Sequence, residues 1–373
     1  MEIQTSIFNE ENPKYLSEQI ITYIGNKRAL LSFIGTAVNL VKEELGTDEL
    51  DIMDIFSGSG IVSRYLKKDA KTLYVNDLEK YCETINECYL TNQSDLNIQE
   101  LKNIYDELVS HISEEMKPGF ISELYAPADD ENIQPGERVF YTTRNANYID
   151  TARQLIETVP EEYKNYVLAP LLYESSVHTN TSGVFKGFYK NSKTGIGQYG
   201  GDGRNALKRI LSDINLPFPV FSNYDCDTVI TRKDANELVR EMDPVDIVYM
   251  DPPYNQHPYG SNYFMLNLIN DYKRPENISK VSGIPAEWNK SKYNKKQLSY
   301  DTMRDLCEHV NAKYLLISFS DDGFISQEQM VNMLEKIGDV RVFDKTYNTF
   351  RGCRNLESRK IHVKELLYLV RRK

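Results

Sequence analysis

Cysteine and histidine are scarce in this 373-residue chain, with five of each. Cys82, Cys88, Cys226, Cys307 and Cys353 form no metal-ligand or redox pair, and the histidines are just as scattered. No metal centre is expected, and the cysteines read as small buried hydrophobes. Long apolar runs are missing too. No stretch approaches the roughly 18 to 20 apolar residues that cross a bilayer, and the opening MEIQTSIFNEENPKY is too polar for a signal peptide. The expectation is a cytoplasmic protein, neither secreted nor membrane-bound.

An excess of positive charge is also absent. The formal net charge is −11, which on its own makes nucleic acid an unpromising partner. The distribution of charge points the other way. Lys186 to Arg209 carries six basic residues against one acidic, Lys273 to Lys296 seven against two, and Arg341 to Lys373 ten against three. The stretch 95–137 is acidic instead. An acidic outer face and a basic face built from the later segments fit this pattern.

What is present is a chain with 40% hydrophobic and 27% charged residues, the balance of a globular protein. Its length suits one large α/β domain with an insert. The stretch VDIVYMDPPYNQHPYG, residues 245–260, is the feature around which the other motifs arrange themselves. Val245, Ile247, Val248, Tyr249 and Met250 form a buried strand that stops at Asp251-Pro252-Pro253-Tyr254. Consecutive prolines cannot continue a central strand, because each lacks the N–H that the ladder needs. The chain leaves the sheet with a carboxylate, free carbonyls and an aromatic ring. In open α/β sheets ligands bind beyond the carboxyl ends of the strands. These groups suit a planar amine such as a nucleobase; a rigid turn with a surface Asp is the alternative.

Upstream, DIFSGSG (54–60) reads as strand, glycine turn and helix start, where backbone N–H groups approach a ligand closely. A second strand over Thr72–Val75 ends in Asn76-Asp77, the position of an acceptor for a ribose diol. Ser63 replaces the third glycine of a dinucleotide fingerprint, which favours an adenosine-containing ligand without a pyrophosphate. Lys27 and Arg28 fall in a first helical turn, where the helix dipole disfavours cations, so an anion nearby would account for them. Asp234 follows a strand that ends near Thr231. The segment 178–201 mixes glycine, lysine and aromatic residues in a way foreign to a packed core. It suits a surface that tracks a nucleic-acid backbone. Helices are expected over 79–92, 96–116, 153–159, 163–175, 204–215, 302–309 and 324–337, with late strands over 314–320, 340–345 and 364–370.

This ordered set strongly resembles the adenine-N6 DNA methyltransferases of the Dam-like D12 class, alpha-type, along nearly the whole chain. YIGNKRALL (23–31) resembles the N-terminal cofactor motif, DIFSGSG the main one, and Asn76-Asp77 the ribose-binding acid. KDA (233–235) resembles the adenine-binding strand end and DPPY the catalytic motif. NYFMLN (262–267), LLISFS (315–320) and IHVKELLYLV (361–370) resemble the later motifs.

The resemblance implies a Rossmann-like α/β fold that binds S-adenosylmethionine, with a reversed C-terminal β-hairpin and an inserted, mainly helical target-recognition domain. The catalytic domain would comprise 1–94 and 226–373, with a basic loop at 273–300, and the insert 95–225. Tyr23 and Lys27 would touch the cofactor, Phe56, Gly58 and Gly60 would shape its pocket, and Asp77 would hold its ribose. Asp234 and Ala235 would meet its adenine. Asp251 and the Pro252 carbonyl would accept from the target amine while Tyr254 stacks on the base. Lys186, Lys190, Lys193, Arg204, Lys292, Lys295, Arg351 and Arg354 would hold double-stranded DNA.

A restriction–modification or phage modification setting, a separate endonuclease as functional partner, and a bacterial or phage-encoded monomer (or dimer) go with the family. N4-cytosine methylation on the same fold and a non-catalytic DNA-binding protein remain the alternatives. Asp at the first DPPY position, where cytosine enzymes more often carry Ser, leans toward adenine.

Overall fold

The sheet has the strand order β3-β2-β1-β4-β5-β7-β6. Its strands are β1 (Leu50–Asp54), β2 (Ala70–Asn76), β3 (Asp227–Thr231), β4 (Val245–Met250), β5 (Ala312–Ser320), β6 (Gly338–Asn348) and β7 (His362–Arg372). The computed structural model describes residues 10–204, 206–348 and 362–373. Arg351, Arg354 and Cys353 lie outside the described residues, as does most of the stretch between β6 and β7. Strands β1 to β5 pair in parallel, whereas β7 runs antiparallel to both β5 and β6. The reversed hairpin expected from the sequence is present.

Helices cover both faces, which explains why the central strands read as continuous apolar runs. On β5, Leu315, Ile317 and Phe319 enter one core, and Tyr314 and Leu316 the other. The first core is closed by α9 (Ala235–Leu238), α12 (Lys296–His309) and α13 (Gln327–Leu334), the second by α1 (Leu31–Leu45) and α2 (Ile61–Leu66). A third core joins α3 (Lys80–Leu90), α10 (Tyr259–Asn262) and α11 (Phe264–Asp271) to α4 (Ile98–Glu114), α5 (Phe120–Tyr125), α6 (Thr143–Ile156) and α7 (Glu161–Val177). The helical insert is thus packed against the sheet domain through α3 and α11.

Three expectations fail in the insert: the helix expected over 153–159 is only the end of α6, which begins at Thr143 and stops at Ile156. Residues 204–215 do not form one helix: only α8 (Leu207–Leu211) is helical. Arg204 (φ 50°) and Ala206 (φ 61°) take left-handed backbone that breaks the run. The segment 178–201 is also less superficial than its composition suggests. Thr179, Asn180, Thr181 and Phe185 are buried. Asn180 satisfies its amide by donating to the carbonyls of Val139 and Gln198 and accepting from Gly200 N–H. Buried polar side chains are tolerated when their hydrogen bonds are made, and composition alone does not reveal that.

Helix α2 has an unexpected polar anchor. Arg64, 1% exposed, stacks 3.8 Å from the centroid of Tyr89 and donates to the carbonyls of Tyr15, Glu18 and Gln19. These bonds fasten the N-terminal segment beside the sheet and lead directly into Tyr23.

Candidate active site

Parallel register aligns the carboxyl ends of four strands. Asp54 of β1 pairs with Val75 of β2 and Tyr249 of β4, and Asn76 pairs with Thr231 of β3. The turns that follow converge on one cavity, with about 910 Å³ of space open to the surface. Tyr23, Lys27, Phe56, Gly58, Asp77, Asp234, Ala235 and Asp251 all line it.

The glycine turn forms the floor. Gly58 has φ +52°, and a Cβ there would sit 2.8 Å from the Tyr23 ring. Only glycine gives both that backbone and that approach. Gly60 does not belong to the lining. Its φ is +74° and a Cβ would meet Asn86 Oδ1 at 2.5 Å, so Gly60 serves the packing of α2 on α3. Gly58 N–H and Glu79 N–H both donate to Asp77, each at 2.9 Å. Burial raises the Asp77 carboxyl above its usual range, and these two donors pull it partly back. Asp234 caps α9 by accepting from Asn236 and Glu237 N–H. Phe56 meets Tyr293 edge-on, centroids 5.3 Å apart.

Tyr23 and Tyr259 make one wall, with the buried Tyr263 behind them. Tyr23 stacks on Tyr259 (4.9 Å) and on Tyr263 (4.7 Å). Tyr263 Oη accepts from Ile24 N–H at 2.7 Å, and Tyr259 Oη donates to the Ile24 carbonyl at 3.1 Å. The N-terminal motif and the chain after DPPY are thereby locked together. The basic loop supplies the roof. Asn289 Nδ2 donates to the Leu78 carbonyl and to Glu79, and Asn294 Nδ2 to the Asn255 carbonyl. Asn289, Ser291, Tyr293 and Asn294 line the cavity, while Lys292 and Lys295 are exposed.

At the DPPY end, Lys27 accounts for its position in the sequence. Its Nζ is 3.1 Å from Asp251 Oδ1 and 3.0 Å from Glu365 Oε1, with the side chain only 3% exposed. Burial alone would lower the Lys27 pKa, but the two carboxylates outweigh it and hold it well above normal. Asp251 is pushed up to about 6 by burial and Glu365, against the pull of Lys27. Pro252 is buried, and among the described residues nothing donates to its carbonyl. Tyr254 stands outside the cavity lining, half-buried, edge-on to Phe319 at 6.0 Å.

Sequence reasoning missed Glu365, Asp54 and Glu79. Asp54, a lining residue, is fully buried and accepts from Ser63 Oγ at 2.6 Å, while its buried Oδ1 has no hydrogen-bond partner. Burial lifts it to about 7. Glu79, also lifted to about 7 by burial, accepts from Asn267 and Asn289. An orphaned carboxylate oxygen, a carboxylate at a strand end and a tyrosine wall suit a ligand that carries positive charge, a ribose and an aromatic base. The donor set therefore fits S-adenosylmethionine.

Of the cations expected on DNA, Lys193 and Arg204 line one open groove and Lys186 is exposed. Lys190 lies 4.9 Å over the Phe188 ring. Among the described residues no group of histidine, cysteine and carboxylate side chains is placed to hold a metal ion. No described helix is long and apolar enough to cross a membrane.

Similarity to known proteins makes this chain a DNA methyltransferase of the type that modifies an exocyclic amino group, on a fold and site that suit it. Residues 23–333 match the family of D12 class N6 adenine-specific DNA methyltransferases, and the chain belongs to it. It is 31% identical over 340 residues to the type II methyltransferase M.CviAII of Paramecium bursaria Chlorella virus 1, covering 89% of this chain and 93% of that one. Identity to the type II methyltransferase M.NlaIII of Neisseria lactamica is 28% over 339 residues, with the same coverage. The modification methylase StsI of Streptococcus sanguinis is 28% identical over 370 residues, and there the match covers 94% of this chain and 52% of the longer protein.

Proposed function

We propose that this protein transfers a methyl group from S-adenosylmethionine to N6 of an adenine flipped out of duplex DNA. The observation that carries this function is the position of Asp251. Asp251 lines the same cavity as Gly58, Asp77 and Asp234, and the carbonyl of the adjoining Pro252, itself outside the lining, accepts from no donor among the described residues.

The cofactor supplies an activated methyl group on a cationic sulfur. Tyr23, Phe56, Gly58, Asp77, Asp234 and Ala235 would hold it, with Asp77 accepting from a ribose hydroxyl. Asp54 would offer its unpartnered oxygen to the positively charged end. Asp251 and the Pro252 carbonyl would accept from the N–H groups of the target amine. That amine is a weak nucleophile because its lone pair is delocalised into the ring. Two acceptors draw the nitrogen toward tetrahedral geometry and stabilise the positive charge that develops on it, a gain made only in the transition state. Tyr254, beyond the cavity, would stack on the extruded base. The target atom is inaccessible within the helix, so base flipping is required.

The insert, residues 95–225, would read the target sequence. Lys186, Lys190, Lys193, Arg204, Lys292 and Lys295 would contact the backbone. Relatives described as type II methyltransferases and modification methylases support a role in restriction–modification. A separate endonuclease would be the functional partner, and the enzyme would act in the cytoplasm, where host or phage DNA lies.

The test is to incubate duplex DNA with methyl-labelled S-adenosylmethionine and digest it to nucleosides. Label in N6-methyladenine is expected. Label in N4-methylcytosine would move the target to cytosine, and no label despite cofactor binding would overturn the proposed function.

A further inference from the structure

Glu365 is a buried carboxylate that neither cofactor nor base binding explains. It is 1% exposed and sits on β7, the reversed strand. Reversal is what brings it to the site. In a parallel strand a residue this early would lie at the amino edge of the sheet, but β7 runs backwards and pairs Glu365 with Ser320 at the carboxyl end of β5. There Ser318 Oγ donates to Glu365 Oε1 at 2.5 Å. The same oxygen lies 3.0 Å from Lys27 Nζ, which is 3.1 Å from Asp251.

Burying charges is costly, and one carboxylate would suffice to balance one ammonium. A lysine paired with Asp251 alone would also oppose the reaction. It would occupy the carboxylate that must accept from the target amine and set a full positive charge beside the nitrogen on which positive charge develops. A second carboxylate on the far side of Lys27 divides that charge. We propose that Glu365 is a positioning residue for methyl transfer. Fixed by Ser318, it draws on Lys27 from behind, so that Lys27 orients the Asp251 carboxylate without cancelling it. This rests on Asp251 being the acceptor for the target amine.

The charged and titratable groups facing Asp251 are Lys27, Glu365, Asp54 on β1, Tyr249 on β4, and Tyr254 and Tyr259 beyond it. Of these carboxylates Glu365 is the one that shares the Lys27 ion pair, so Glu365→Gln isolates its charge at nearly constant shape.

The experiment compares wild type, Glu365→Gln, Lys27→Met and the double variant in methylation of duplex DNA. Aspartate-labelled carbon-13 NMR follows the Asp251 titration in the cofactor-free proteins. Glu365→Gln is expected to lower kcat about tenfold, less than loss of a direct transition-state donor. Cofactor affinity should stay within about threefold, because none of the residues assigned to hold the cofactor's ribose and adenine changes. The Asp251 titration should move to lower pH, since Lys27 then bears on it alone. In the Lys27→Met background the same substitution should cost no further rate. Equal loss of rate in both backgrounds, or a titration that stays or moves up, would overturn the proposal. Ser318→Ala serves if Glu365→Gln fails to fold: a few-fold loss of kcat that disappears without Lys27 supports the coupling, and a loss that persists refutes it. A wild-type enzyme that leaves adenine unmethylated would strike the proposed function instead, and the NMR titration would still decide whether Glu365 governs Asp251.

Discussion

Gly58 N–H donates to Asp77 Oδ2 at 2.9 Å, so the glycine turn after β1 and the acid ending β2 are one unit. Removing the carboxylate takes away a ligand acceptor and also orphans two backbone donors, Gly58 and Glu79 N–H. Asp77→Ala should therefore weaken S-adenosylmethionine binding by about 10- to 100-fold and cost about 1–3 kcal/mol of folding stability per orphaned group. Calorimetric titration and urea unfolding measure the two effects separately. Unchanged cofactor affinity would remove Asp77 from the binding site.

Asp251→Asn should leave cofactor affinity nearly intact while lowering methyl transfer on the order of 100- to 1,000-fold, the loss seen when a transition-state partner is removed. The wild-type enzyme should show an acid limb. Burial and Glu365 push Asp251 up to about 6, so below that pH the carboxyl is protonated and one acceptor for the amine is lost. kcat/KM should fall as pH drops through about 6 and level off above it. A flat profile from pH 5 to 8, approximate limits chosen to bracket that value, would be incompatible with this role.

Stability of the cofactor-free protein should run the other way. Asp54 and Glu79 are raised to about 7 and Asp251 to about 6, all first by burial. A raised carboxyl binds its proton more tightly folded than unfolded. Its stabilising contribution is complete below the unfolded pKa and is lost as pH rises through the folded one. His178, raised by Glu174 against its burial, acts in the same direction. The urea midpoint should thus decline as pH rises from about 5.5 to about 8, a window spanning the shifted values. Asp54→Asn should flatten that decline, and a midpoint that climbs over this range would contradict it.

The DNA surface makes a salt-dependent prediction. Lys193 and Arg204 share a groove, and exchanging either for Ala should reduce the slope of log affinity against log salt by about 1 if each neutralises a phosphate. Filter binding across salt concentrations reads this directly. An unchanged slope would place the groove off the DNA path.

Much of the site is legible in the sequence because its parts obey local rules. Proline after a strand, glycine in a tight turn and an acid at a strand end each have a short-range cause, and parallel register then gathers them. Glu365 is not legible. In VKELLYLV it looks like an edge polar residue, and its meaning depends on Lys27, more than three hundred positions away. Asp54 reads as part of a strand, and only the folded structure shows that one of its buried oxygens has no hydrogen-bond partner. The break near Arg204 and Ala206 hides behind good helix formers, since neither residue type announces the positive φ it adopts. The roof over the cavity reads in sequence as a DNA-facing loop. Its lysines do face outward, but Asn289 and Asn294 turn inward, and asparagines in a loop give no hint of direction.

The tie between Lys27, Asp251 and Glu365 also bears on how the enzyme comes into being. Lys27 and Glu365 are more than three hundred positions apart, so the second leaves the ribosome long after the first. A nascent chain can complete the glycine turn and even the DPPY strand while still tethered, yet the carboxylate it carries has only half its final surroundings. Activity would then switch on late and at once, upon arrival of the reversed strand.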